Sequence, residues 1–405
     1  MKNRSSHPDS LCDAEPTMTP TRRKVDIIFN TTLVCEWDCD ICCVDAVHVS
    51  RRGGHAVLRD EGLRRQSLVP LLSHESIYEA AHRYRVAQGR ELDLAGKRRI
   101  IDHLAGVDAR IDISGGDALL LQSNLTLLRY ASERLGRHNV TLTVTGAGSA
   151  HHRADDLAPL IDEFNFTFDA ESIVDVANRP NGYALGNLKK ATEFARLGTR
   201  TRAELPLTRT ILSESHLTRL YEALHERGIG KLLVMRLFPV GRGAGLIQAI
   251  PSREQYIEAI EILSRLEQRF GSPMLKLQCA LKHLFPGGFE GSTNPCDMVR
   301  ESFGLMSDGT LLASPWAIGP RGRPLHRSWV LGNLAEMPMD KILDSARVRR
   351  LQRRLDDNFG HCKIFAFLEG HQTTPMDRMF EPSDPLYLPE PPGSRRTRYI
   401  PIQAI

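Results

Sequence analysis

Three closely spaced cysteines are the residues whose types and spacing point most directly to chemistry. They form the pattern Cys35-x3-Cys39-x2-Cys42, and Cys43 follows at once. Three thiolates on one loop can ligate three irons of a cubane [4Fe–4S] cluster and leave the fourth iron open to a substrate or cofactor. A structural zinc ion would need a fourth ligand, from Cys43 or His48, and usually takes its cysteines as C-x2-C pairs. The spacing therefore predicts an iron–sulfur loop, with a zinc site and a group of inert buried cysteines as the alternatives.

The elements that must position this loop are short strands that alternate with helices. Apolar or β-branched runs bounded by Gly, Asn, Asp or Pro recur from Val25 onward, and the cysteine loop directly follows the first run. Stretches with helical spacing, such as residues 184–197 and 217–227, lie between several runs. Six strands with intervening helices predict a parallel sheet with right-handed crossovers, and a partial barrel of this kind carries its functional groups beyond the carboxyl ends of its strands. The six predicted strands are residues 26–33, 110–114, 140–145, 165–169, 201–207 and 231–238.

The chain divides by composition into four parts, and its 405 residues suit roughly 2.7 domains. Residues 1–24 lack periodicity and are predicted to be a flexible arm. Residues 25–245 hold the predicted barrel, and residues 246–370 hold a bridging amphipathic helix, Arg253–Phe270, followed by a smaller region. Residues 371–405 are rich in proline and are predicted to run over the surface in extended form.

Composition and charge exclude several classes of protein. The chain is 41% hydrophobic and 25% charged, which is ordinary for a globular protein. Its net charge is only +4 and its basic pairs are scattered, so we expect no nucleic-acid partner. No run approaches the 18 or so apolar residues of a membrane helix, and the N-terminus lacks the apolar core of a secretory signal. These features predict a cytoplasmic protein without a membrane partner.

A second motif connects the cysteine loop to a known family. Ser114-Gly115-Gly116-Asp117 follows the second predicted strand. The cysteine loop and this motif together resemble the radical S-adenosylmethionine (SAM) superfamily, and the resemblance spans about residues 25–245. In that family a GGE motif holds the amino group of SAM, because glycines allow close backbone approach and a carboxylate neutralises an ammonium. The resemblance therefore implies that these four residues bind SAM, with Asp in place of Glu.

Two later segments extend the resemblance. Thr167, Asp169 and Arg179 resemble the family's fourth-strand segment. This implies that Thr167 and Arg179 bind the SAM carboxylate, for which the planar Arg fork is suited, and that Asp169 lies near the ribose. The segment from Arg236 to Gly243 resembles the sixth-strand segment of the SPASM/twitch branch, which cradles the adenine with backbone groups.

One position of the cysteine loop departs from the family pattern. The residue before the third cysteine is usually an aromatic that stacks on the adenine, and here it is Ile41. Trp37 is a candidate to serve instead, although its position in the loop normally faces elsewhere.

The C-terminal region resembles a degenerate twitch or SPASM region. Cys279, Cys296 and Cys362 are at most three ligands of an auxiliary cluster, so a second iron–sulfur cluster is a candidate cofactor. A non-cysteine ligand such as His361 could complete it, and the alternative is that the site has been lost and the three are buried apolar side chains. The resemblance implies the fold class α/β, a partial (β/α)6 TIM-type barrel with a smaller C-terminal twitch-like α+β region.

Two alignments of that region compete. One matches Cys296-x12-Gly309-x4-Ser314 to the family pattern, with Ser in place of the last cysteine. The other matches Cys279-x11-Gly291-x4-Cys296 with every ligand intact. The two alignments cannot both hold.

The resemblance implies reductive cleavage of SAM at a [4Fe–4S] cluster, with a flavodoxin- or ferredoxin-type reductant as partner. No general acid or base can be named from the sequence. The insertion of residues 45–72 carries His48, Arg51, Arg52 and His55, which would suit an anionic sugar, nucleotide or nucleoside carboxylate, although a solvated loop explains them as well.

The predicted substrate is a small molecule, a sugar or nucleoside of natural-product biosynthesis. The chain resembles radical SAM enzymes of the cytosylglucuronate decarboxylase type, which implies an outcome in decarboxylation or elimination. One alternative is a peptide-modifying SPASM/twitch maturase. The other is a scaffold without catalysis that holds zinc or an iron–sulfur cluster.

Overall fold

The computed structural model describes residues 22–170, 179–282, 284, 296–356, 358 and 361–387. The strands, numbered along the chain, are β1 (Lys24–Thr32), β2 (Val34–Cys35), β3 (Val47–Arg52), β4 (His55–Asp60), β5 (Arg65–Pro70), β6 (Asp108–Gly115), β7 (Val140–Thr143), β8 (Glu163–Thr167), β9 (Arg200–Leu207), β10 (Lys231–Arg236), β11 (Met274–Leu277), β12 (Ser302–Leu305), β13 (Thr310–Leu312), β14 (Ile318–Gly319), β15 (Arg323–Pro324) and β16 (Val330–Asn333).

The α-helices are numbered in the same way. They are α1 (Ile77–Ala87), α2 (Leu94–Asp102), α3 (Gln122–Leu135), α4 (Gly146–Ala150), α5 (Ala154–Leu157), α6 (Tyr183–Arg196), α7 (Glu214–Glu226), α8 (Arg253–Phe270), α9 (Cys279–Lys282), α10 (Met339–Leu343), α11 (Ala346–Asp356), α12 (Lys363–Glu369) and α13 (Pro375–Met379).

Six parallel strands in chain order form the main part of a ten-stranded sheet. The sheet order is β11-β10-β9-β8-β7-β6-β1-β12-β13-β16, in which β1 and β6 to β10 are the six predicted strands. Side chains of β1 alternate between the two faces of the sheet. Val25, Ile27 and Phe29 are buried in the main apolar core, while Ile28 and Asn30 line a cavity on the other face, so β1 is covered on both faces as a central parallel strand must be. The predicted partial barrel is confirmed.

The helix that was predicted to bridge the two regions is α8, with the same bounds. Ser252 caps its N-terminus, and Gln255 completes a capping box with it. The predicted apolar side of the helix, which includes Tyr256 and Leu263, is buried. A long amphipathic pattern with a capping signal is therefore read reliably from sequence.

The insertion that follows the cysteine loop is a β-sheet, which corrects its interpretation as a loop. Strands β3, β4 and β5 form an antiparallel meander, and β2 joins it in the order β2-β3-β4-β5. Alternate residues such as Val47, Val49 and Leu58 are buried and make one face of this sheet apolar. Helix α1 packs on the meander.

The C-terminal region extends the barrel sheet instead of forming a separate one. Strand β12 pairs parallel with the outer side of β1, with Asp26 opposite Ser302, and β13 and β16 follow antiparallel. The described residues 371–387 are not an extended surface segment, because they contain α13 and bury Asp384 and Leu386. Most of the predicted arm and the rest of the predicted tail lie outside the described residues.

Within the described ranges, no helix is both long enough and apolar enough to cross a membrane.

Candidate active site

A cavity of about 490 Å³ lies at the carboxyl ends of the barrel strands. This volume falls within the range of small-molecule sites, which is about 300–1,000 Å³. Most of the site residues predicted from the sequence line it. They are Cys35, Cys39, Cys42, Ser114, Gly115, Gly116, Thr167, Arg179, Arg236, Cys279, Cys296 and Cys362.

The cysteine loop begins at the end of β2, and its sulfurs receive backbone hydrogen bonds. The Trp37 N–H donates to Cys35 Sγ at 3.4 Å, and the Ala46 N–H donates to Cys42 Sγ at 3.3 Å. Burial raises the pKa of the Cys35 thiol well above its usual value and also raises that of Cys39. Such thiols ionise only with a strong cationic partner, and N–H donors to the sulfurs are one of the ways in which proteins tune iron–sulfur clusters.

This donor set fits a [4Fe–4S] cluster. Three cysteine sulfurs, of which Cys35 and Cys39 are buried and Cys42 is partly buried, line one cavity. The sulfurs of Cys35 and Cys42 have backbone donors in place. Among the described residues, no three His, Cys, Asp or Glu side chains are grouped as the ligands of a single metal ion would be.

Arg242 fastens the cysteine loop to the far side of the barrel. Its Nη1 donates to the Cys39 carbonyl at 2.9 Å, its Nη2 donates to the Ala46 carbonyl, and its Nε donates to Asp45 Oδ1 at 3.1 Å. Its backbone N–H donates to the Cys42 carbonyl at 2.8 Å. The sequence pattern of residues 236–243 predicts no role for the Arg242 side chain.

Gly115 and Gly116 of the predicted SAM-binding motif pack against residues 32–34, which lead into the cysteine loop. The Gly116 N–H donates to the Thr32 carbonyl at 2.8 Å. A Cβ on Gly115 would lie 2.2 Å from the Thr32 oxygen, and one on Gly116 would lie 2.4 Å from the Val34 oxygen. The two glycines therefore permit a close approach of β6 to β1 and β2. Both still line the cavity, as does Ser114.

Asp117 lies beside the cavity, outside its described lining. The Thr145 hydroxyl and the Gly148 N–H both donate to Asp117 Oδ2, and Oδ1 is buried without a partner among the described residues. Burial raises the pKa of this carboxyl to about 7, despite these hydrogen bonds. Trp37 links Asp117 to the cavity, because its Nε1 donates to Thr145 Oγ1 at 3.0 Å.

The fourth-strand residues surround Arg179. Its Nε donates to Asp169 Oδ2 at 2.8 Å, and its guanidinium lies 4.8 Å from the centre of the Tyr183 ring. The positive charge of Arg179, followed by a hydrogen bond from it, opposes the rise that burial causes in the pKa of the Cys39 thiol. Thr167 and Arg179 line the cavity, whereas Asp169 lies behind Arg179 and outside the described lining.

Two aromatic rings and Ile41 form one wall of the cavity. Trp37 and Tyr183 pack edge to face with ring centres 5.6 Å apart. Ile41 is buried in a small apolar cluster with Cys39, Tyr183 and Leu237. Trp37, Ile41 and Tyr183 all line the cavity, so an aromatic surface is present although the usual aromatic position holds isoleucine.

Arg236 holds the C-terminal segment. Its Nη1 and Nη2 donate to the two oxygens of Asp384, each at 2.7 Å, and its guanidinium lies 3.3 Å from the centre of the Phe365 ring. The Cys362 N–H donates to Asp384 Oδ2 at 2.9 Å. The Arg236 side chain is therefore a structural ion-pair partner, although the residue still lines the cavity.

The C-terminal cysteines line the same cavity as the cysteine loop. Burial is the largest cause of the raised pKa of Cys279, Cys296 and Cys362. The charges of Cys296 and Cys362 add to the rise at Cys279, and the charge of Cys362 adds to the rise at Cys296. Ser314 also lines the cavity, whereas Gly291 lies outside the described residues. The cavity therefore contains every ligand position of both competing alignments.

The basic residues of the insertion are placed elsewhere. The described lining of the cavity does not include His48, Arg51, Arg52 or His55. Arg51, Arg52 and His55 are exposed around the β3–β4 turn. The sequence-based argument for an anionic substrate therefore loses the residues on which it depended.

Charged side chains on the barrel interior were missed by sequence reasoning. Asp112, Arg202 and Glu204 line the cavity from β6 and β9. The available signal was charged residues at alternate positions of otherwise apolar strands, which places them together on one face.

Solved structures of similar fold include Streptococcus suis SuiB bound to its precursor peptide SuiA. That match has a TM-score of 0.61 and 13% identity, and covers 90% of this chain and 76% of SuiB. SuiB bound to S-adenosylmethionine matches with a TM-score of 0.59 and 12% identity, over 91% and 76% of the two chains. The enzyme anSMEcpe with bound AdoMet matches with a TM-score of 0.56 and 13% identity, over 89% and 93%.

These neighbours are radical SAM enzymes. At such low identity the likeness establishes the fold. No protein-family model matches the chain, and no curated protein matches it in sequence.

Proposed function

We propose, on the premise that this chain has the fold of the radical SAM enzymes, that it is itself a radical SAM enzyme. It would hold a [4Fe–4S] cluster on Cys35, Cys39 and Cys42 and bind SAM beside it. When bound, the cluster and SAM supply an electron and a 5′-deoxyadenosyl radical that removes an unactivated hydrogen from the substrate. The observation that carries the proposal is one cavity lined by the three cysteines together with most of the predicted SAM-binding residues.

The chain's own residues would act by binding and positioning. Ser114, Gly115 and Gly116 present backbone groups to the SAM amino group, and the Arg179 fork is oriented by Asp169 for the SAM carboxylate. Asp117 bonds Thr145, which in turn bonds Trp37, so Asp117 would act on bound SAM by positioning these two side chains.

For the substrate, the polypeptide alternative has the better support. The fold likeness to SuiB with its precursor peptide extends over 90% of this chain. The sugar or nucleoside interpretation depended on basic insertion residues that do not line the described cavity. We therefore propose a peptide-modifying enzyme. Decarboxylation or elimination as the outcome, and a flavodoxin- or ferredoxin-type reductant, stay predictions from the sequence.

The test compares two cysteine-to-alanine variants, at positions 39 and 43 of the same loop. After anaerobic reconstitution, the wild type and Cys43→Ala should be brown and form 5′-deoxyadenosine with SAM and dithionite. Cys39→Ala should lose both the colour and the product, because one corner of the cluster loses its ligand. A colourless wild type rich in zinc would contradict the proposal. A full cluster that yields no 5′-deoxyadenosine would favour the scaffold alternative.

A further inference from the structure

The floor of the cavity carries charged groups that the proposed cofactor-binding residues do not use. Asp112 lies on β6, and Arg202 and Glu204 lie two residues apart on β9, so that both face the barrel interior. The floor is completed below by Glu163 on β8 and Lys231 on β10. These five side chains form what we call the barrel-floor cluster.

The two cations of the cluster are shared between two of its three carboxylates. Arg202 Nη2 lies 3.1 Å from Glu204 Oε1, and Arg202 Nη1 lies 3.3 Å from Glu163 Oε1. Lys231 pairs with the other oxygen of Glu163. Glu163 therefore pairs with two cations, whereas Glu204 pairs with Arg202, which it shares with Glu163.

Asp112 is bonded by neutral donors. The Thr141 hydroxyl donates to Asp112 Oδ1 at 2.9 Å, and the Thr143 hydroxyl donates to Oδ2 at 2.7 Å. Within the described ranges, no cation forms an ion pair with Asp112. Burial raises the pKa of Glu204, and the charge of Asp112 adds to the rise. The cluster thus has three carboxylates against two cations, and Asp112 and Glu204 are the two that line the cavity.

We propose that the barrel-floor cluster binds a cationic group of the substrate, an ammonium or guanidinium, between Asp112 and Glu204. This inference rests on the proposed function, since it takes the cavity as the substrate site. A bound cation supplies the charge that the cluster lacks and donates hydrogen bonds to the carboxylates. For a peptide substrate, the residue held at the floor is basic. A carboxylate at the same place would face Asp112 and Glu204 and be repelled.

The test uses three matched peptides on the reconstituted enzyme with SAM. Titration calorimetry measures the affinity of N-acetyl-Ala-Xaa-Ala-amide, in which Xaa is Lys, Gln or Glu. We expect the Lys peptide to bind at least about tenfold more tightly than the Gln peptide and the Glu peptide to bind most weakly, because opposite charges attract strongly in a partly desolvated site.

Two variants and a surface control assign this charge preference to the floor. Asp112→Asn and Glu204→Gln should bring the Lys and Gln peptides to within about twofold of each other, since each removes one carboxylate charge. Asp155→Asn, at an exposed carboxylate on α5, should leave the preference unchanged. If neither floor variant folds, the order of the three peptide affinities in the wild type (Lys, then Gln, then Glu) decides whether the inference holds.

Equal affinities, a preference for Glu, no measurable binding of any peptide by the wild type, or a Lys preference that survives both floor variants would each overturn the inference. The proposed function is judged separately, by 5′-deoxyadenosine formation in the same preparation without peptide. An active preparation without the charge order defeats only the inference, and an inactive one with the charge order defeats only the proposed chemistry.

Discussion

Arg242 is the residue on which the position of the cysteine loop most depends. It reaches three backbone carbonyls of residues 39–46 and the buried carboxylate of Asp45. A planar fork can serve several acceptors at once, which a lysine cannot. The loop that carries the proposed cluster ligands is therefore held by a side chain nearly 200 positions later in the chain.

We predict that Arg242→Ala lowers the free energy of unfolding by about 3–5 kcal/mol, because it leaves Asp45 buried without its cation. Iron bound per chain after reconstitution should fall with it. Arg59→Ala is the matched control, since the partly exposed Arg59 pairs with Asp38 on the outer side of the same loop and should cost less than about 1 kcal/mol. Equal losses in the two variants would contradict this role for Arg242.

Asp117 gives the site a pH-dependent contribution to stability. Its pKa is about 7 in the folded chain, against an ordinary value of 3.8. A carboxyl whose pKa is raised by folding favours the folded state at low pH, and this contribution is lost as the pH rises through the folded value. The advantage of the wild type over Asp117→Asn should therefore shrink between pH 5 and about 7 and stay level above pH 8. Thermal unfolding of both proteins across this range measures it, and a gap that widens with pH would argue against a buried, protonated Asp117.

The cysteines, Ser114 and Arg179 could be assigned to one end of the sheet from the sequence, because residue type and position at a strand end indicate it, and all of them line the cavity. Their roles stay predictions. The sequence could not place the carboxylate of Asp117 or the guanidinium of Arg236. Each of these side chains is oriented by partners far along the chain, such as Thr145 and Asp384. A local motif carries no information about such partners.

At the scale of elements, the segment that contains α13 is fixed to the barrel by one buried ion pair. Asp384 accepts two hydrogen bonds from Arg236 and one from the Cys362 N–H. Asp384→Asn should destabilise the chain by about 3–5 kcal/mol, because Arg236 then stays buried without its counter-charge.

Asp377→Asn provides the comparison on the same segment. Asp377 pairs with Arg354 at the surface, where solvent screens the pair, so its loss should cost much less stability than the loss of Asp384. Urea unfolding of both variants measures the difference. A small effect of Asp384→Asn would show that the segment is held by its apolar contacts instead.

The six barrel strands and α8 were predictable because burial on one or both faces leaves a regular apolar pattern. The β3–β5 meander was missed although a Gly-Gly pair at Gly53–Gly54, flanked by alternating residues, is a hairpin signal. Its arginines and histidines are also typical of a solvated loop, so the segment was interpreted as a loop. The pairing of β12 with β1 has no local signal at all, since it joins segments that are distant in sequence.

At the scale of the whole molecule, two groups of three cysteines line one cavity. If both hold clusters, the reconstituted wild type contains about eight irons per chain, and Cys296→Ala contains about four. We predict this outcome, because Cys279, Cys296 and Cys362 all line the same cavity. Iron and sulfide analysis measures it. About four irons in the wild type would mean that these three cysteines are apolar packing residues.

The place of β1 between β6 and β12 has a consequence for biogenesis. Asp26 pairs with Ser302, which leaves the ribosome 276 residues later. At about 5–20 residues per second, β1 waits roughly 14–55 s for its second neighbour, with one edge of the strand unprotected. We expect chaperones to hold the nascent chain during that interval and to release it once residue 305 has emerged.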